Sequence, residues 1–197
     1  MSFRLGLTGS IGMGKSTTAY MFAEAGCAVW DADAAVHRMY SKGGAAVGPI
    51  RYVLPDAIVD GAVSRGRLKE MIRKDASILE TLEQIVHPLV AADRAKFFES
   101  ATVDIVVFDI PLLFEGNGHV DMDAVICVTV SPEIQKMRVM ERGTMTQEQF
   151  EQIRAKQLPD KEKRARSDFV IETDTPEHAR EQVFKIVETI KGWMADA

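Results

Sequence analysis

Several features that define other classes of protein are absent from this chain of 197 residues. No run of about 18 apolar residues occurs, so no membrane-spanning helix is predicted. The only cysteines, Cys27 and Cys127, each lie in an apolar, strand-like stretch, which favours buried, reduced thiols over a disulfide or a metal site. A strand-like segment starts near the first residue and leaves no space for a signal peptide, so we expect a cytoplasmic location.

Positive charge is in deficit and asparagine is nearly absent. The formal net charge of −5 argues against a general nucleic-acid binder, and an anionic ligand would have to be held by locally concentrated positive groups. Asn117 is the only asparagine and is followed by Gly118, so the N-K-x-D motif of guanine-specific proteins is missing. The hydrophobic fraction of 46% is enough for a substantial core.

Short apolar runs alternate with helical patterns along most of the chain. The strongest runs cover 103–108 and 124–130, and weaker ones cover 5–8, 27–30 and 169–171. Continuous apolar runs are typical of parallel strands that are covered on both faces, and helices between them supply the crossovers. We therefore predict an α/β fold with a five-stranded parallel sheet and helices on both faces.

Two stretches interrupt this alternation. Residues 41–98 are mostly helical by pattern, with loop signals such as Asp60-Gly61, and residues 136–166 are helical but rich in charged and amide side chains. We predict one domain over 1–197, in which 41–98 form an inserted helical substrate-binding region and 136–166 form a lid. The core then comprises about 1–40, 99–135 and 167–197.

The segment Gly9-Ser10-Ile11-Gly12-Met13-Gly14-Lys15-Ser16 satisfies the phosphate-loop (P-loop) pattern G-x-x-x-x-G-K-[ST]. It follows a predicted strand and opens a predicted helix, so backbone N–H groups and a helix N-terminus would surround a phosphate. Lys15 can reach the β- and γ-phosphates of ATP, and the hydroxyl of Ser16 can bind Mg²⁺. We predict that ATP is bound by Gly12, Met13, Gly14, Lys15, Ser16 and Thr17.

Phosphate loops occur in switch GTPases, motor ATPases and small-molecule kinases. The missing N-K-x-D motif disfavours a GTPase, and the chain is short for a motor with coupling domains. A compact kinase with a P-loop NTPase-type sheet is the prediction that remains.

Further landmarks follow the loop in a fixed order. They are Asp31-Ala32-Asp33, Asp60-Gly61 with Arg65 and Leu68, His87-Pro88, Asp109-Ile110-Pro111-Leu112-Leu113-Phe114-Glu115, and Gln135-Lys136-Met137-Arg138. With this ordered set, the chain resembles the dephospho-coenzyme A kinases over nearly its whole length. One departure is Thr173, which stands where that family often has an asparagine after its last strand.

The resemblance implies transfer of the γ-phosphate of ATP, with Mg²⁺, to the ribose 3′-hydroxyl of dephospho-coenzyme A (dephospho-CoA). It favours Asp33 as the group that orients this hydroxyl and accepts its proton. It also implies that Arg65 and His87 contact the coenzyme A moiety.

The acidic residues at strand ends fit this chemistry. Asp31 and Asp33 follow a predicted strand at the edge where open α/β sheets place ligands, and on an extended segment they should point in opposite directions. Asp31 is then left to serve the metal or the local fold, or to cap a helix near Ala34. Asp109, at the end of another strand, either holds Mg²⁺ through water or contacts substrate, and Glu115 is predicted to organise the loop that follows.

Arginines from the predicted lid are candidates for the transferring phosphate. A planar guanidinium matches the charge that phosphoryl transfer spreads over the equatorial oxygens. Arg142 is our catalytic candidate, beside Lys15 and Asp33, and Arg138 lies one helical turn earlier and should project to the same side. The alternative for Arg138 is a solvated helix face with salt bridges to Glu133 and Glu141.

The residues alone leave two other functions open. One is a P-loop kinase for another nucleoside, nucleotide or sugar, and the other is an ATP-binding regulatory protein with negligible transfer. Pure binding requires neither Asp33 nor an arginine lid, which disfavours the second. We expect a small-molecule substrate, no nucleic-acid or membrane partner, and a monomer.

Overall fold

A five-stranded sheet organises one of two units in the computed structural model, which describes residues 2–116 and 118–196. The sheet unit contains the residues before Asp31 and those after Ser100, and the helical unit is Asp31–Ser100. The strands in chain order are β1 (Phe3–Thr8), β2 (Ala28–Asp31), β3 (Ile58–Val59), β4 (Ala62–Val63), β5 (Ile105–Asp109), β6 (Ala124–Thr129) and β7 (Phe169–Glu172). The helices are α1 (Lys15–Glu24), α2 (Ala32–Tyr40), α3 (Val47–Val53), α4 (Arg65–Lys74), α5 (Ser77–Ser100), α6 (Pro132–Glu141), α7 (Gln147–Lys156), α8 (Asp160–Ala165) and α9 (Pro176–Ala195).

The sheet has the order β2-β5-β1-β6-β7. Strand β1 is central and pairs in parallel with β5 and β6, and β6 pairs in parallel with β7. The carboxyl ends of these strands therefore lie along one edge, with Leu7 in register with Asp109 and Thr8 in register with Cys127. The predicted α/β fold with a five-stranded parallel sheet is confirmed.

Alternate residues of the strands form a core beneath α1 and α9. Leu5, Leu7, Ile105, Val107 and Ile126 belong to one buried cluster that also contains apolar residues of both helices. Helix α9 contributes one apolar face, since Val183, Ile186, Val187 and Ile190 are buried in this cluster and Met194 packs against it. On β6, helix α8 provides a further contact.

Ser131-Pro132 and Thr175-Pro176 mark the starts of α6 and α9. The hydroxyl of Ser131 accepts a hydrogen bond from the N–H of Ile134 at 3.4 Å, and that of Thr175 accepts one from His178 at 3.2 Å. In each case the proline is the first helical residue. An N–H at this position makes no hydrogen bond within the helix, so proline costs none there.

Strand β7 lies at one end of the sheet order, and α9 contacts its last residue. The side-chain amide of Gln182 donates to the carbonyl of Glu172 at 2.9 Å, while its oxygen accepts from the N–H of Glu172 at 3.0 Å. Both backbone polar groups of Glu172 are therefore hydrogen-bonded by one side chain.

The helical unit differs from its prediction by containing a small hairpin. Strands β3 and β4 pair antiparallel, with Ile58 in register with Val63. Asp60 and Gly61, the loop signal in the sequence, have φ of 52° and 82°, as an Asp-Gly hairpin turn requires. Strands of two residues are too short to show an alternating pattern, which is why the sequence indicated helix and loop only.

Across residues 2–116 and 118–196, none of the helices combines the length and the apolar character needed to cross a bilayer.

Candidate functional site

The predicted phosphate loop connects β1 directly to α1. Gly12 and Gly14 have φ of 79° and 88°, a left-handed conformation that glycine adopts without strain. A Cβ on Gly14 would lie 2.9 Å from the Thr173 hydroxyl oxygen, so the position also lacks space for a side chain. Gly14 is the N-cap of α1 and offers no capping side chain. The first N–H groups of the helix are thus available to an anion.

Lys15 forms an ion pair with Asp109 at the edge of the sheet. Asp109 is the last residue of β5 and only 2% of its side chain is exposed, whereas 15% of Lys15 is. The strand register explains the pairing, because β1 and β5 are neighbours and both end beside the loop. The residue predicted to reach phosphate and the predicted strand-end carboxylate are thus brought into direct contact.

Thr173 joins the phosphate loop to helix α6. Its hydroxyl donates to the carbonyl of Met13 at 2.8 Å and accepts from the Arg138 guanidinium at 3.0 Å. A second nitrogen of Arg138 donates to the backbone carbonyl of Thr173 at 2.5 Å. The guanidinium of Arg138 is therefore fixed to the segment after β7 through Thr173. The sequence identified Thr173 only as a departure from a family pattern, and its contacts were not foreseen.

Arg138 and Arg142 line the same cavity of about 200 Å³, together with Gly14, Thr17 and Thr173. Arg142 is exposed and forms the C-cap of α6. Two arginines therefore border a space that also reaches the loop glycine and the first turn of α1. This arrangement can bind a polyanion that lies on the loop.

Glu115 and Lys163 connect the loop after β5 to the segment around α8. Lys163 is fully buried and its ammonium lies 3.0 Å from the Glu115 carboxylate. Glu115 also accepts from the N–H of Leu158 at 2.9 Å. Burial alone would raise the pKa of Glu115, but hydrogen bonds from Leu158 and Lys163, together with the lysine charge, outweigh it and hold the pKa below its ordinary value. Glu115 anchors its loop, in line with the prediction, whereas nothing in the sequence indicated that Lys163 is buried.

Asp31 and Asp33 do not lie on one extended segment, and this prediction was wrong. Helix α2 begins at Ala32, immediately after β2, so Asp33 stands in its first turn and is exposed. Asp31 is the N-cap, and its carboxylate accepts from the N–H of Ala34 at 2.9 Å. The capping alternative for Asp31 is therefore confirmed, while the side chain of Asp33 is left for another role.

Arg65 and His87 meet at one cavity of the helical unit. The cavity has a volume of about 270 Å³, and its walls include Leu68, Leu82 and Val86. The Arg65 guanidinium lies 5.9 Å from the centre of the Tyr40 ring, a cation–π distance. Burial raises the pKa of Tyr40, and the charge of Arg65 partly opposes that rise. The two residues predicted to contact substrate thus border an apolar space with basic groups.

A magnesium site of protein ligands alone is not present in the described part of the chain, which has no cluster of three or more His, Cys, Asp or Glu side chains. Magnesium at phosphate loops uses one or two protein oxygens together with phosphate oxygens and water. Ser16, exposed in the first turn of α1, and Asp109, at the end of β5, provide oxygens of that kind.

Comparison with known proteins agrees with this geometry. Residues 3–178 match the family model described as dephospho-CoA kinase. A dephospho-CoA kinase from Ruegeria pomeroyi is 68% identical over 191 residues, covering 97% of both chains. One from Cereibacter sphaeroides is 56% identical over 189 residues and 96% of both chains.

Solved structures show the same fold. The protein TT1252 from Thermus thermophilus has 30% identity and a TM-score of 0.84, with 95% of this chain and 97% of that chain covered. A dephospho-CoA kinase from Campylobacter jejuni has 24% identity and a TM-score of 0.70 over 98% and 99% of the chains. A shikimate kinase from Acinetobacter baumannii, at 17% identity and a TM-score of 0.56 over 98% and 94%, shares the fold alone. The chain belongs to the dephospho-CoA kinase family.

Proposed function

We propose that this chain transfers the γ-phosphate of ATP to the ribose 3′-hydroxyl of dephospho-CoA, giving coenzyme A. One observation above all supports this: the chain has a complete phosphate loop whose lysine is paired with a strand-end carboxylate. The chain also belongs to this kinase family.

ATP would be held by its phosphates. The N–H groups at the start of α1 and the ammonium of Lys15 surround the β- and γ-phosphates. Lys15 is part of the phosphate loop and its ammonium pairs with Asp109, so it can exchange part of its contact with the carboxylate for a phosphate oxygen. Bound Mg²⁺ would neutralise charge on the β- and γ-phosphates, and we assign the Ser16 hydroxyl and, through water, Asp109 to holding it.

The transferring group gathers negative charge on its equatorial oxygens. Arg142, exposed at the end of α6 beside the cavity that reaches Gly14, is assigned to that charge. Arg138 is held by Thr173 at the same cavity, which fixes its guanidinium for the ATP side of the site.

The acceptor is assigned to Asp33. Its carboxylate is exposed in the first turn of α2, whereas that of Asp31 is used in capping. In this role Asp33 accepts a hydrogen bond from the 3′-hydroxyl and orients its oxygen toward the γ-phosphorus. It takes the proton as the new P–O bond forms and the bond from the γ-phosphorus to the β,γ-bridging oxygen breaks, releasing ADP.

The rest of dephospho-CoA carries a diphosphate and an apolar pantetheine arm. The cavity bordered by Arg65 and His87 offers basic groups beside an apolar wall, which suits a ligand of that mixed chemistry. We accordingly assign substrate binding to the insertion 41–98 and lid action to 136–166. Action as a monomer in the cytoplasm, without nucleic-acid or membrane partners, stays a prediction.

The test is ATP consumption against a panel of acceptors: dephospho-CoA, adenosine, nucleoside monophosphates, shikimate and gluconate. Dephospho-CoA should be turned over far faster than adenosine, which lacks the pantetheine-diphosphate arm. Lys15→Ala is the matched control and should lower turnover by about three orders of magnitude or more, as expected for loss of a group that stabilises the transferring phosphate. Faster turnover of another acceptor would identify that compound as the substrate in place of dephospho-CoA. Turnover of ATP with no acceptor would favour an ATPase.

A further inference from the structure

Ile11, in the middle of the phosphate loop, is hydrogen-bonded on both sides by glutamine side chains. Its N–H donates to Oε1 of Gln157 at 3.1 Å, and its carbonyl accepts from Nε2 of Gln135 at 2.7 Å. Gln135 belongs to α6 and is buried, and Gln157 follows directly after the last residue of α7. Neither glutamine has a part in the chemistry described above.

The loop depends on such contacts because its own sequence does little to fix it. Gly12 follows Ile11 and Gly14 lies two residues further on, and both have positive φ. Glycine allows this conformation but also many others, so a glycine-rich loop loses much conformational entropy when it is ordered. Helix α6 is close at this point, since a Cβ on Gly12 would lie 2.6 Å from Cγ2 of Val139 and 3.1 Å from the carbonyl of Gln135.

The segment that carries Gln157 is itself anchored. The next residue, Leu158, donates its N–H to Glu115 at 2.9 Å, and Glu115 is paired with the buried Lys163. The end of α7 is therefore attached to the loop after β5 by its backbone and to the phosphate loop by a side chain.

We propose that Gln135 and Gln157 are positioning residues that hold the phosphate loop in its ATP-receiving conformation through Ile11. Gln157 additionally makes this conformation depend on the segment that ends α7. The kinetic consequence rests on the proposed kinase function, whereas the effect on ATP binding does not.

The two contacts have opposite polarity, and this gives a sharp test. Ile11 offers an N–H to Gln157, which must accept, and a carbonyl to Gln135, which must donate. Glutamate keeps an acceptor of nearly the same shape but has no donor when ionised. Gln157→Glu should therefore retain its contact, whereas Gln135→Glu should place a carboxylate against a carbonyl. Leucine removes either contact at similar volume.

The first measurement is amide hydrogen exchange of Ile11 by NMR, made without ATP. We expect exchange to accelerate about tenfold or more in Gln157→Leu and to stay within about threefold of the parent in Gln157→Glu. Gln152→Leu is the matched control, because Gln152 is exposed on α7, and it should leave the rate unchanged. A parental rate in Gln157→Leu would overturn the proposal.

The second measurement is the dissociation constant for ATP by calorimetry. Gln157→Leu should raise it about threefold to tenfold, the effect of one hydrogen bond, and Gln135→Glu should raise it further. The added charge of Gln157→Glu is controlled by Gln152→Glu and by repeating the titration at about 0.5 M salt, where exposed charges are screened. Faster exchange of Ile11 with unchanged ATP affinity would reduce the glutamines to a structural role and overturn the proposal.

These outcomes are separable from the proposed function. ATP calorimetry and amide hydrogen exchange test whether the two glutamines position the loop, even if the protein phosphorylates some other acceptor. If Gln135→Glu does not fold, the half-buried Gln157 still supplies both the disruptive and the conservative variant. For dephospho-CoA turnover, we expect the KM for ATP to rise in Gln157→Leu while the KM for the acceptor stays within about twofold of the parent.

Discussion

At the scale of single residues, we assign different roles to Asp31, the last residue of β2, and Asp33, in the first turn of α2. Asp31 caps α2 through Ala34, whereas Asp33 is exposed in the first turn. Asparagine preserves size and hydrogen-bonding ability but accepts no proton. Asp33→Asn should lower kcat about 10²-fold, in the lower part of the range for a general base because the transition state is loose, while ATP affinity barely changes.

The neighbouring aspartate provides the control. Asp31→Asn should retain activity and stability, since asparagine caps a helix as well as aspartate does, and Asp31→Ala should lose about 1 kcal/mol of unfolding free energy. The measurements are kcat for coenzyme A formation, calorimetry with ATP, and thermal melting. Loss of kcat in Asp31→Asn with Asp33→Asn unaffected would mean that the two roles are reversed.

The two arginines at the end of α6, Arg138 and Arg142, should also respond differently to substitution. Arg142 is exposed, so Arg142→Ala should lower kcat by about 10³-fold or more while shifting Tm by less than about 2 °C. Arg138 is bound to Thr173 by two hydrogen bonds, so Arg138→Ala should lower Tm as well as weaken ATP binding. A fall in Tm with kcat preserved in Arg142→Ala would assign that arginine a structural role instead.

Both thiols should be inert in the folded protein. Burial raises the pKa of Cys27 from 9.0 to about 11, and Lys191 opposes it only in part. Burial, with a contribution from Asp160, raises the pKa of Cys127 from 9.0 to about 12. Because the thiolate is the reactive form, a thiol reagent at pH 8 should label neither cysteine until denaturant unfolds the chain. Fast labelling of one thiol per molecule of native protein would contradict this.

At the scale of elements, the pair Glu115–Lys163 attaches α8 to the loop after β5. Glu115→Gln leaves the fully buried Lys163 without its counter-charge and should lower the free energy of unfolding by about 2–4 kcal/mol. The double variant Glu115→Gln, Lys163→Met removes both charges and should recover part of that loss. If the loss of unfolding free energy in the double variant equals the sum of the losses in the two single variants, the two residues are not coupled.

The same pair predicts a pH dependence. The folded pKa of Glu115 lies below its ordinary value of 4.5, so its stabilisation is fully present above the unfolded pKa and is lost as pH falls through the folded pKa. The Tm difference between the parent and Glu115→Gln should be largest near pH 7 and should shrink as the pH is lowered below 4.5. A difference that is constant between pH 7 and pH 3 would contradict the assignment.

Elements with a local signal were predictable from the sequence. The phosphate loop, the capped starts of α6 and α9, and the apolar strands depend on residues close together in the chain, and the structure has all of them. The hairpin β3–β4 had only its Asp60-Gly61 turn as a signal, because two-residue strands carry no periodicity. The orientation of Asp31 and Asp33 was mispredicted because α2 starts without an intervening loop.

The contacts that organise the site were not predictable in this way. Gln135 and Gln157 reach Ile11 across 124 and 146 residues of chain, and Thr173 reaches Met13 across 160. A glutamine or threonine in the sequence is most often a surface residue. Only the strand order, which sets β1 between β5 and β6, brings these side chains to the loop.

At the scale of the whole molecule, the proposal assigns different ligands to the two units. A non-hydrolysable ATP analogue alone should slow hydrogen exchange in peptides covering Gly9–Thr17, since the phosphates order the loop. Dephospho-CoA alone should slow exchange in peptides of the helical unit that contain Arg65 and His87. Protection of the loop by both ligands, with no change in the helical unit, would contradict the assignment of substrate binding to 41–98.

The contact between Gln182 and Glu172 bears on how the protein behaves at high concentration. A strand at the margin of a sheet offers unpaired backbone groups that recruit strands from other copies, which is a common route to aggregation. Here the amide of Gln182 hydrogen-bonds both backbone groups of Glu172, so it acts as a one-residue imitation of a neighbouring strand. An incoming chain would have to displace that amide before it could extend the sheet beyond Glu172, and the helix that builds the core thereby also protects its margin.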